Sequence, residues 1–198
     1  MKISGLFACF VLIAILILGL SIFGQKGSTE TYTGTVISYG TGLNTRTTTS
    51  TFTLNIDSLT PDDQAQRFLG LLQEGGQNVL LRELSKENRG NFSVGARLGR
   101  RLNAIRENIE DGKKRIFIVF ERWMEFGEIR GGYRSTDYPF GVIELYIDPR
   151  TEKGEGTYIA AAKIRWTQDK KSGQYQVEIE NFATFPAKLV GVMLRGRR

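Results

Sequence analysis

The chain has 198 residues, 40% of them hydrophobic and 24% charged, with a formal net charge of +6. That balance fills a core and does not describe a disordered chain. There is no His, and the only Cys is Cys9, so Ser-His-Asp and Cys-His catalysis and zinc held by His or Cys are excluded.

In chain order, Lys2 precedes an uncharged apolar run from Leu6 to Phe23. A short basic start before a long apolar stretch is the pattern of an export signal, and the run is also long enough to cross a bilayer. Residues 1–25 are therefore read as a signal peptide or N-terminal membrane anchor, with Lys2 kept inside. Gly19 and Ser21 offer small residues for cleavage after Ser21. A lipoprotein reading of Cys9 fails because the apolar run follows the Cys. Residues 26–198 are expected to form a single exported domain, extracytoplasmic whether periplasmic, secreted or tethered by residues 6–23.

Thr31 to Tyr39 reads as a first strand, weakened by Gly34. In Ser50 to Asp57, Phe52, Leu54 and Ile56 alternate with Thr51, Thr53 and Asn55, the period of a half-buried strand. Thr60-Pro-Asp-Asp63 is a helix start, with Thr60 as cap and Asp62 and Asp63 at the positive end of the dipole. Ala65, Phe68, Leu69 and Leu72 then share one helical face. Gly75 and Gly76 stop this helix, and a second runs from about Asn78 to Lys86 over Leu80, Leu81 and Leu84. Leu102 to Glu110 and Lys114 to Trp123 flank Asp111-Gly112, a hairpin signal. Ile116 to Phe120 is apolar on both faces, which predicts a central strand. Phe140 to Asp148, Thr157 to Thr167, Gln174 to Phe182 and Lys188 to Arg195 complete the pattern, with a turn at Asp169 to Gly173. The expected fold class is α+β, an antiparallel meander of roughly six to eight strands packed against a helical hairpin. Its core is expected to include Ala65, Phe68, Leu69, Leu72, Leu80, Leu84, Ile116, Ile118, Phe120, Ile143, Leu145 and Val177.

Between the strands at 114–126 and 140–148 lies RGGYRSTDYPFG, residues 130–141. Gly131-Gly132 and Tyr138-Pro139 are turn chemistry, so the stretch serves first as a connection. Its side chains also compose a candidate ligand-binding site. Arg130 and Arg134 can hold a carboxylate or phosphate in bidentate fashion, and Tyr133 and Tyr138 can form a flat wall.

The run RGGYRSTDYPFGVIELYIDPRTEKGEGTYIAAAKIRW (130–166), with ENFATFPAKL (180–189), resembles a family of secreted bacterial proteins of uncharacterised function. The similarity extends from about Phe52 to the end. The resemblance implies export and a single domain, and carries no activity or catalytic residues.

Two functional classes remain. The first is a non-enzymatic envelope module that binds a ligand or partner. Its basic spots at Arg97, Arg100, Arg101 and Arg106, at Lys113 to Arg115 and at Arg195 to Arg198 suit an anionic lipid, a glycan or a protein of the cell envelope. Nucleic acid is not expected, because no recognition motif accompanies the charge. Membrane contact is expected through the N-terminal segment if it is uncleaved. The second class is a hydrolase working through carboxylates, with Glu121 or Glu125 as acid, Glu128 nearby and an Asp or Glu as base. No phosphate loop, Gly-x-Ser-x-Gly or dinucleotide fingerprint is present, so no cofactor is expected. Oxygen-ligand Ca2+ or Mg2+ stays open in principle, although Asp148 to Glu155 lacks the alternating ligands of a Ca2+ loop.

Overall fold

The computed structural model describes residues 29–40, 46–124, 128, 130, 131, 133–168, 173, 175–182 and 185–197. The expected leader with Cys9, the expected acid Glu125 and most of the turn after Gln168 lie outside these. No helix among the described residues is long and apolar enough to cross a membrane.

Among the described residues, ten strands and the long helix α1 follow in the order β1 (Glu30–Ser38), β2 (Thr48–Ile56), α1 (Asp62–Leu84), β3 (Gly90–Val94), β4 (Arg100–Arg101), β5 (Ala104–Glu110), β6 (Lys113–Glu121), β7 (Phe140–Asp148), β8 (Lys153–Gln168), β9 (Tyr175–Asn181) and β10 (Ala187–Arg197). They form one antiparallel sheet, ordered β4-β3-β2-β1-β10-β8-β7-β6-β5, with β9 paired to β8. The first strand thus lies beside the last, with Glu30 opposite Arg197 and Ile37 opposite Lys188.

This overturns the expected α+β fold. The chain is mostly β, and a ten-stranded half-barrel replaces the meander of roughly six to eight strands under a helical hairpin. Two features cause the difference. Asn91-Phe-Ser-Val94, unread as a strand, pairs with β2 and buries Phe92. The pairing of β1 with β10 then curls the sheet, as the right-handed twist of strands favours. The two end strands, β4 and β5, are halves of one stretch. Within it Leu102 N–H donates to Gly90 O at 2.9 Å, and Asn103 N–H donates to Val119 O at 3.3 Å. The ends of the sheet therefore meet at a seam.

Alternation then sorts the side chains. Ile116, Ile118 and Phe120 of β6 and Ile143, Leu145 and Ile147 of β7 fill the concave side, with Leu54, Phe92 and Leu189 from the other strands. The opposite face of β6 to β8 carries Val119, Phe140, Val142, Ile159, Ala162 and Ile164, and α1 covers it with Phe68, Leu72, Leu80 and Leu84. β6 is apolar on both faces because it lies between these two cores. Of the expected core residues, Ala65, Leu69 and Val177 are only half-buried. Gly34 is required by packing: a Cβ there would lie 2.7 Å from the ring of Phe52.

The helical region departs from expectation at its start and keeps the expected break at Gly75-Gly76. Thr60 does not cap. Its hydroxyl accepts from Ile105 N–H at 2.8 Å, tying the helix start to β5, and Pro61 precedes Asp62 without a side-chain cap. At the expected stop α1 breaks: Gly76, with φ of 68° and ψ of −171°, is not helical, and two helices meet there at a kink. The second half bends back there: Arg67 Nη2 reaches Glu83 Oε2 at 2.9 Å although sixteen residues separate them, a span of about 24 Å in a straight helix. That backbone region is essentially closed to residues with a Cβ. Gly76→Ala is expected to destabilise the fold by about 1–3 kcal/mol, measured by urea unfolding.

Candidate ligand-binding site

The strand registers place five connections at one end of the sheet, the loop end: those between β1 and β2, β3 and β4, β6 and β7, β8 and β9, and β9 and β10. The opposite end holds residues 29 and 197, the Asp111-Gly112 turn and the Pro149 to Glu152 turn.

Where the seam reaches the loop end, a cleft of about 400 Å³ opens among Arg100, Arg101, Asn103, Glu121, Arg122 and Trp123. Asn103 clasps the seam. It is 2% exposed, its Oδ1 accepts from Glu121 N–H at 2.7 Å, and its Nδ2 donates to Glu87 O at 2.8 Å. Arg100 lies opposite Phe92 in the ladder and so on the concave side. Its guanidinium stacks on Trp123, 4.1 Å from the ring centroid. Burial pulls the Arg100 pKa down, so an anion brought to it would relieve a desolvated charge. Beneath it, Phe92 touches Phe52, Phe120 and Tyr158 with centroids 5.8, 6.1 and 5.2 Å away. Burial pushes the Tyr158 hydroxyl up, opposed in part by Arg100, Arg97 and Arg122.

Arg122 organises the connection between β6 and β7. Its Nε donates to Tyr138 O at 2.5 Å and its Nη2 to Ser135 O at 2.6 Å, while the guanidinium forks onto Glu128 at 2.5 and 3.2 Å. The sequence RGGYRSTDYPFG is thereby pinned as a connection, with a short 3-10 turn at Arg134–Asp137.

The four residues expected to bind a ligand separate. Tyr138 is buried at 6% exposure, its hydroxyl donating to Glu180 Oε1 at 2.5 Å and its ring 5.1 Å from Phe182. The bond to Glu180, with some burial, raises its pKa. It anchors the connection to β9 and is no exposed wall. Arg130, Tyr133 and Arg134 are exposed on the same connection. None of the four lines the cleft. The basic cluster at Arg97, Arg100 and Arg101 was visible in the sequence, but Trp123 and Asn103 carried no signal, because their roles depend on the seam.

Of the expected hydrolase groups, Glu121 is exposed and is the one carboxylate among the described residues that line the cleft. Glu128 is engaged by Arg122. No group of three or more potential metal-ligating side chains occurs among the described residues.

No family model, curated protein or solved structure matches the chain.

Proposed function

We propose that the chain is an exported, non-enzymatic module of the cell envelope that binds an anionic ligand at the loop end, centred on Arg100. The observation that carries this reading is a partly desolvated guanidinium, stacked on Trp123 at the wall of a cleft, with no acidic partner among the described residues. Buried charges are normally paired, and a pre-positioned arginine left unpaired suits a carboxylate or phosphate arriving from solution. Arg101 lines the same cleft, and Arg97 is near enough to bias Tyr158. Export rests on the uncharged run from Leu6 to Phe23 behind Lys2. A hydrolase is disfavoured by the single described carboxylate in the cleft, since glycoside chemistry needs two about 5–10 Å apart.

Glycerol phosphate and inorganic phosphate, titrated while Trp fluorescence is followed, provide the test. Both Trp123 and Trp166 emit, but only Trp123 lies against Arg100, so Trp166→Phe isolates the signal. Binding should be saturable and weaken about tenfold or more in Arg100→Ala, the loss expected for one charge-assisted hydrogen bond. Arg150→Ala, at the opposite end, should leave it unchanged. A signal indifferent to Arg100→Ala would place the anion elsewhere and end this reading.

A further inference from the structure

Large apolar side chains stand exposed on the same connections. Leu98 is 90% exposed, Trp123 61%, Tyr133 63% and Phe185 63%. Phe185, from the β9–β10 connection, meets Tyr39, from the β1–β2 connection, edge to face at 6.4 Å. Strands of a packed sheet hide such groups, and a cluster on one surface marks an interaction site. Arginines alternate with them along the chain: Arg97 beside Leu98 in the β3–β4 connection and Arg100 and Arg101 in β4 after it, and Arg130 and Arg134 around Tyr133 in the β6–β7 connection. None of these five arginines has an acidic partner among the described residues. The described acids at this end are Glu74, three residues from Gln77, which donates to Asp137 O, and Glu121, Glu128, Asp137, Glu178 and Glu180. Arg122 takes Glu128, and Arg165 takes Glu178 and Glu180. At the opposite end acids and bases alternate instead, as in Glu110, Asp111 and Lys113 or Asp148, Arg150, Glu152 and Lys153.

We infer that the loop end docks on an anionic lipid bilayer, with Leu98, Trp123, Tyr133 and Phe185 entering the headgroup region and the five arginines meeting lipid phosphates. This rests on the anion site proposed above and names the source of the anion. Trp and Tyr favour the level of the headgroups. Arginine lays its apolar stem along such a surface while its head remains among phosphates. Anionic lipid attracts basic clusters within a Debye length of the surface, and the one-sided charge turns this end toward it. A protein partner of similar area would require acids to meet five arginines, whereas a bilayer presents phosphates at every position.

The full chain carried in phosphatidylcholine nanodiscs, which occupy the leader, is the material for the test. Added phosphatidylglycerol vesicles should capture the discs in a flotation assay, and phosphatidylcholine vesicles should not. Capture should fall about tenfold or more with Arg97→Glu plus Arg134→Glu, and on raising salt from about 0.1 to 1 M, where the Debye length shrinks to about 3 Å. Leu98→Ser, at a position too exposed to disturb folding, should weaken it at constant charge. Ile109→Ser plus Lys113→Glu, an exposed apolar residue and a base at the opposite end, should leave capture intact. Equal capture by both lipids, or loss only with the opposite-end variant, would overturn docking through this end. If glycerol phosphate binds in an Arg100-dependent manner while phosphatidylglycerol vesicles are not captured, the anion site stands and bilayer docking falls. If neither binds, both fall.

Discussion

Replacing Phe92 with Ala is expected to destabilise the fold by about 3–5 kcal/mol, the usual cost of emptying an aromatic site in a core. Phe92 is 3% exposed. Its ring is the one shared by Phe52 of β2, Phe120 of β6 and Tyr158 of β8, so four strands lose contact at once. Collapse around the void is limited, because strands paired on both sides cannot approach one another independently. The loss should appear in denaturant as a lower midpoint at constant m value. Phe92 also lies opposite Arg100, so phosphate affinity should weaken in the same variant even where most of the protein remains folded. A loss under 1 kcal/mol would show that the half-barrel is not packed through this cluster.

Lys114→Met is expected to cost about 3–5 kcal/mol at neutral pH, the penalty for breaking a buried ion pair, with Arg197 and Tyr32 left on Glu30. Glu30 is 7% exposed. It accepts from Lys114 Nζ at 2.8 and 3.1 Å, from the Tyr32 hydroxyl at 2.7 Å and from Arg197 Nε at 2.9 Å. Burial pushes its carboxyl up, but the bonds from Lys114 and Tyr32 and the charges of Lys114 and Arg197 outweigh this and hold it below the ordinary carboxylate range. Burial and the same carboxylate raise the Tyr32 hydroxyl strongly. The sign of the pH dependence follows. A depressed folded-state pKa stabilises above the unfolded value, about 4.3, and that contribution is lost as pH falls through the folded value. In Lys114→Met the bond and the charge of Lys114 are lost while those of Tyr32 and Arg197 remain, so the Glu30 pKa moves up and part of the stability present above the unfolded value disappears. Wild type and variant should therefore converge toward acid and diverge above about pH 5. Urea midpoints at a series of pH values would show it. A pH-independent gap would mean that Arg197 and Tyr32 suffice for Glu30.

Short-range chemistry determined much of this protein. The alternation of Phe52, Leu54 and Ile56, the Asp111-Gly112 turn with its two positive φ angles, and the two apolar faces of Ile116 to Phe120 each state a local preference that the fold keeps. The absence of His and the solitary Cys removed whole reaction classes before any coordinate was known. In RGGYRSTDYPFG the turn residues were legible, but Tyr138 and Tyr133 looked alike. Only the fold buries one against Glu180 and leaves the other in solvent.

Tertiary structure alone decided what depends on residues far apart in the chain. β4 is two residues long and carries no periodicity. β3 is brief, and its neighbour in the sheet is chosen by β2, not by its own sequence. The pairing of β1 with β10 joins residues 30–37 to residues 188–197, and no window of local sequence contains both. That pairing curls the sheet, the curl brings β4 and β6 to a common seam, and the seam sets Arg100 on Trp123. Hydrophobic period and turn residues act over a few positions, so they specify elements. Strand order is settled by burial and ladder hydrogen bonds between distant segments, and the cleft at the loop end is a product of that order.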